Sequence, residues 1–136
     1  MTGQNVRFEY DSSRNILFAD DDYVIKTVED AERFLNIYRD KLKELGRRVW
    51  VVTSIDGLKV GANAYVFYGE NLKTIAEKWF YGIARWGKNP ESRMTVRMAS
   101  RKAKADINIY DTKQLAIEAI EEMKRDQSIA DSPQKT

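Results

Sequence analysis

The sequence predicts an α/β fold: a mixed, mostly parallel sheet of about five strands flanked by four helices, in the order β-β-α-β-α-β-α-β-α. Three observations predict it. Short apolar, β-branched runs alternate with stretches of helical period, two strands joined by a turn open the chain, and helix start and stop residues bracket the longer segments. The 136 residues suit one domain, a size that buries roughly two-thirds of the unfolded surface.

Val6-Arg7-Phe8-Glu9-Tyr10 alternates apolar and polar at the strand period. Residues 11–15 carry turn chemistry and Ile16-Leu17-Phe18-Ala19 supplies the second strand of a hairpin. Thr27 with Asp30 forms a capping-box pair at a helix start. Val28, Ala31, Phe34, Leu35, Tyr38 and Leu42 share one face of that helix, and Gly46 ends it. A Val-rich strand follows over residues 48–55. Asp56-Gly57 could turn a hairpin, but Ala62, Tyr65, Val66, Gly69, Leu72, Ile75 and Ala76 recur at helical spacing, so a helix is expected over about 61–78. Residues 79–84 form an apolar run suited to a strand covered on both faces. Asn89-Pro90 opens a third helix reaching about residue 104, with Met94 and Met98 turned inward. Residues 107–110 make a last strand. Asp111 and Gln114 cap a final helix that buries Leu115, Ala116, Ala119, Ile120 and Met123. The single domain spans 1–125, and residues 126–136 are too polar to repay their ordering entropy and form a flexible tail.

Composition limits the chemistry. With no cysteine and no histidine, disulfides, thiolate metal sites, a cysteine nucleophile and the Ser-His-Asp arrangement are excluded. Charge is nearly balanced, 23 Lys+Arg against 21 Asp+Glu, yet residues 61–110 hold nine basic and four acidic groups. One basic face is therefore expected rather than a general affinity for nucleic acid. No apolar run approaches the ~20 residues of a membrane span and residues 1–10 lack a signal-peptide core, so a soluble, cytoplasmic protein is expected.

The order of elements resembles a STAS domain, the fold of anti-sigma factor antagonists and sulfate-transporter tails. The resemblance spans residues 6–125. It is carried by Ile107-Asn108-Ile109-Tyr110-Asp111-Thr112 followed by Ala116-Ile117-Glu118-Ala119-Ile120. Ile83-Ala84-Arg85-Trp86 and Arg93-Met94 are similar to the divergent STAS/SEC14-like branch. The resemblance implies a non-enzymatic regulatory or protein-interaction domain working through the loop before the second helix. In that family a serine there is phosphorylated. Here residues 57–64 contain no hydroxyl, so that switch is not expected.

Four sets of candidate residues follow. Gly57, Lys59, Gly61 and Asn63 form an interaction or anion-binding loop, with a plain connecting turn as the simpler reading. Arg93, Arg97, Arg101 and Lys104 share a face of the third helix that could dock an acidic protein or an anionic lipid, or serve only as a solvated face. Phe67, Tyr68 and Trp86 fall off the core phase; exposed together they would mark a binding patch and favour a homodimer. Asp20-Asp21-Asp22 with Asp56 resembles a receiver's acidic cluster, which would make Asp56 a phosphoacceptor; the element order argues against it, so this is the least favoured alternative and a solvated strand end is the expectation. No catalytic residue, metal ligand or cofactor is expected. The expected partner is another protein; the alternative is a lipid or nucleotide in a pocket near the second helix, with nucleic acid disfavoured.

Overall fold

A computed structural model describes residues 4–131, with side chains described through residue 128. β1 (Gln4–Asp11) and β2 (Ile16–Ile25) pair antiparallel in register from Gln4 opposite Tyr23 to Asp11 opposite Ile16. The turn between them is held by Asp11, whose Oδ1 accepts from the Ser13 amide at 3.0 Å and hydroxyl at 2.7 Å. β2 runs six residues beyond its expected end at Ala19. The alternation of Leu17, Ala19, Tyr23 and Ile25 continues inward through the acidic run, so Asp21 falls on the buried face.

α1 (Val28–Leu45) begins with both bonds of the Thr27–Asp30 capping box and ends at Gly46, whose amide donates to Leu42. Ala31, Phe34, Leu35, Tyr38 and Leu42 are buried as expected, while Val28 is exposed. β3 (Val49–Ser54) is buried along its whole length, as the central strand of a parallel sheet must be. β4 (Lys59–Val60) continues the chain in extended form beside Val24 and Ile25, so α2 (Tyr65–Trp79) starts four residues later than its periodicity predicts. Tyr68, Gly69, Leu72 and Ile75 point inward, and Tyr65 and Val66 are only half-buried.

β5 (Phe80–Trp86) pairs parallel with β3, and β6 (Ile109–Tyr110) pairs parallel with Arg85 and Trp86. Between them lies α3 (Pro90–Ala103), capped by the Asn89 side chain. α3 buries Ser92, Val96, Ala99, Ser100 and Ala103, and Met94 and Met98 face outward, 59% and 43% exposed. Close packing explains this correction. A Cβ on Gly69 would sit 2.6 Å from the Ala99 carbonyl oxygen, so α2 and α3 meet through small residues and leave no room for methionine. α4 (Lys113–Asp131) is capped by the Thr112 hydroxyl, which accepts from the Leu115 amide at 3.1 Å; Asp111 instead pairs with Arg93. Leu115 is exposed, Ala116 and Ile120 are buried, and the helix occupies the first part of the expected tail. Positions 132–136 of that tail lie outside the described residues.

The fold is α/β as the sequence predicts, with one strand more: β1-β2-β3-β5-β6, and β4 beside the end of β2. Each parallel crossover steps in the same direction. Right-handed connections then place α1, α2 and α3 on one face, where Phe34, Leu72 and Val96 join a single core with Leu17 and Val51. Among the described residues α4 alone covers the other face, packing Ala116 and Ile120 on Ile16, Trp50, Val52 and Ala84. Among the described residues the strand order does not reverse, so the sheet shows no switch-point crevice of the kind where doubly wound folds bind ligands.

Candidate functional site

β6 pairs with only the last two residues of β5, so among the described residues no strand pairs with the first part of that edge, where the Ile83 carbonyl accepts from the Asn108 side chain at 3.2 Å. A cleft of about 420 Å3 follows that edge, bounded by α2, the C-terminal half of α3, the segment after α3, and α4. Its size falls in the range of small-molecule sites. Leu72, Ala76, Phe80, Ile83, Ala99 and Met123 make its walls largely apolar. Gly82 shapes one wall: a Cβ there would lie 2.9 Å from the Trp50 ring and 3.1 Å from the Met123 sulfur. Beside it Tyr81 stacks on Trp50 at 5.5 Å, with the Arg48 guanidinium 5.1 Å above the Tyr81 ring.

Polar groups converge on the inner part of the cleft. Arg85 is 5% exposed, and its Nη1 donates to the carbonyls of Ile107 at 2.9 Å and Asp106 at 3.5 Å. Neither bond uses Nε or Nη2. Tyr68 and Ser100, also buried, line the same cleft, and Lys73 and Lys104 stand further out. Its two carboxylates, Glu77 and Asp106, are at exposed positions.

Behind Arg85 the polar groups continue into the core. The register sets Ala19, Thr53 and Arg85 in one row across β2, β3 and β5, and Asp21 follows two residues along the same face. Asp21 is 4% exposed and its Oδ1 accepts from the Tyr38 hydroxyl at 2.6 Å. Burial pushes its carboxyl up to about 7, against the opposing pull of Tyr38, Thr53 and the Arg85 charge. Burial, joined by the negative Asp21, raises Tyr38. Burial also raises Tyr68, which feels Arg85 and Asp21 with opposite sign.

The residues singled out from the sequence are distributed differently. A side chain at Gly57 would meet the Asp22 carboxylate, at 2.6 Å from its Oδ1. Around Gly61 three amides are already spent: Gly61 donates to Ile25, and Ala64 and Tyr65 donate to Gly61. Lys59 and Asn63 are exposed and outside the cleft. The basic stripe divides. Arg93 donates to the Gly87 and Tyr110 carbonyls and to Asp111, tying α3 to its neighbours. Arg97 lies in a shallow depression with Lys88 and Met94, Arg101 is exposed, and Lys104 turns the chain into the cleft with φ 57°.

The aromatic patch does not form. Tyr68 is 2% exposed, a correction that follows from its place one turn before Leu72 on the face of α2 packed into the core, while Phe67 and Trp86 are half-buried on opposite cores. The acidic run is no solvated strand end either. Asp21 is sealed in, Asp20 pairs with Arg7, and Asp56 accepts from the Lys88 and Asn89 amides at 2.7 and 2.9 Å. Among the described residues no three acidic side chains are grouped to hold a metal ion, and no helix is long and apolar enough to cross a membrane.

Sequence reasoning missed Arg85 and Ser100 as site residues, and it placed Asp21 at a solvated strand end. The signal for Arg85 was a charge inside an apolar strand run; for Asp21 it was strict alternation carried through an acidic triplet. No protein-family model, curated protein or solved structure matches the chain.

Proposed function

We propose that the protein is a non-enzymatic binding module that holds a small molecule with an apolar body and a polar end in the cleft along β5. The observation that carries this reading is the buried Arg85 in a cleft whose walls are largely apolar. Burying a charge is costly, and a cleft joining apolar walls to a few converging polar groups is the usual form of a ligand site. Two hydroxyls and a guanidinium suit recognition, and no carboxylate is held among them for acid–base work. Amide NMR of the labelled chain titrated with octanol and with octanoate tests this. Shifts should concentrate at Leu72, Ile83, Arg85 and Ser100 and vanish in Ala76→Trp, which fills the cleft. No shift there with either probe overturns the reading.

A second reading keeps the regulatory, protein-interaction role that the STAS-like resemblance implies, and places it on α3. Met94 and Met98 stand one turn apart in solvent beside Arg97 and Arg101, an adaptable apolar strip edged with positive charge. A protein captured from host extract should survive Lys59→Ala with Asn63→Ala and be lost with Met98→Asp. Retention by Met98→Asp removes this surface from consideration.

A further inference from the structure

The cleft and the buried acid behind it share one cation. The groups acting on Asp21 are Asp20 on its own strand, Tyr38 from α1, Thr53 from β3 and Arg85 from β5, and Asp21 in turn acts on Tyr68 of α2. Arg85 is the cation in this set, and it also forms the inner end of the cleft. Its Nη1 is committed to the Asp106 and Ile107 carbonyls. The Nε and Nη2 edge is the one a carboxylate grips with two parallel hydrogen bonds. A dianion would bring a second charge against the one buried guanidinium, since the other cations of the lining, Arg48, Lys73 and Lys104, are not buried, whereas a monoanion is matched. The apolar walls require the rest of the ligand to be hydrocarbon-like.

When a carboxylate reaches Arg85, two anions compete for one buried positive charge in a medium that penalises the unpaired one. Asp21 can relieve this without moving, because its neutral form keeps the hydrogen bond from Tyr38. We infer that the cleft takes a carboxylate-headed apolar molecule, its head on the Arg85 guanidinium, and that Asp21 takes up a proton from solvent as the ligand binds. The ligand enters charged and the site gains a proton, so the buried layer keeps its net charge. This inference rests on the cleft being a ligand site and adds the chemistry of the ligand head and its coupling to pH.

Isothermal titration calorimetry of the full chain with octanoate, in buffers of different ionisation enthalpy, reads the proton directly. Above neutrality binding should take up close to one proton per octanoate and weaken toward about tenfold per pH unit. Asp21→Asn should bind octanoate with no proton uptake and a flat profile between pH 6 and 8. Arg85→Gln should lose octanoate yet still take octanol, which also shows that the cleft is intact. Inorganic phosphate, lacking a tail, should not bind. Octanoate binding without proton uptake, or phosphate binding as tightly as octanoate, overturns the inference and leaves the cleft a ligand site. If neither octanol nor octanoate binds to wild type at any pH, the inference falls with the ligand reading on which it rests.

Discussion

The Tyr38 hydroxyl donates a 2.6 Å hydrogen bond to Asp21 inside the sheet–helix core, joining α1 to β2 through a carboxyl that burial holds near neutrality. A raised carboxyl binds its proton more tightly in the folded chain than in the unfolded one. Stability contributed by the protonated form is therefore present at low pH and lost as pH climbs from the ordinary carboxylate range toward 7. Three pKa units correspond to about 4 kcal/mol. Urea denaturation should show stability falling between pH 4 and 7 and levelling above it. Asp21→Asn should flatten that slope and stabilise the protein at pH 8 by a few kcal/mol. A variant that retains the slope shows another group to be responsible.

Tyr38→Phe separates the hydrogen bond from the burial. The hydroxyl favours the charged carboxylate, so its loss should push the Asp21 titration further up. The pH at which stability levels off should move upward. At pH 8 the variant should also lose roughly 1–3 kcal/mol, because an ionised Asp21 loses the Tyr38 donor. An unchanged pH profile counts against the coupling.

The sequence made the helices and the parallel core legible for physical reasons that stop short of the site. Thr27 with Asp30, Gly46, and Asn89 with Pro90 signal boundaries through local hydrogen bonding, and all three hold. The helical period of α2 was legible too, but its start was not. That start is fixed by Lys59 and Val60 pairing with β2, a contact made across more than thirty residues. Tyr68 and the methionines of α3 were misplaced for a similar reason, since the Gly69–Ala99 contact that selects the buried faces joins two helices. Arg85 escaped notice because its importance depends on how short β6 is. A two-residue strand leaves the edge of β5 open, and nothing local to residues 80–86 records that.

Gly69 offers a direct test of the helix contact. A methyl group there must displace the Ala99 main chain, which cannot swing aside as a side chain could. Overpacking of this kind costs roughly 1–3 kcal/mol. Gly69→Ala should lower the unfolding free energy obtained from urea denaturation by that amount, whereas Gly82→Ala meets the Trp50 and Met123 side chains and should cost less. Equal losses in the two variants would show that Ala99 yields as easily as a side chain.

The basic stripe on α3 should divide under mutation as it divides in structure. Arg93 holds two carbonyls and the Asp111 carboxylate, linking α3 to the turn after β5 and the start of α4. Arg93→Ala leaves the Gly87 and Tyr110 carbonyls without this donor, and hydrogen bonds from a charged donor contribute roughly 1.5–3 kcal/mol. Arg101 is exposed, and its replacement should change stability by no more than about 0.5 kcal/mol. Thermal denaturation of Arg93→Ala and Arg101→Ala at moderate salt compares them. Because the bonds of Arg93 to the two carbonyls are less screened than a surface ion pair, its loss should persist when salt is raised. A deficit that disappears at high salt would reduce Arg93 to the surface pair with Asp111 alone.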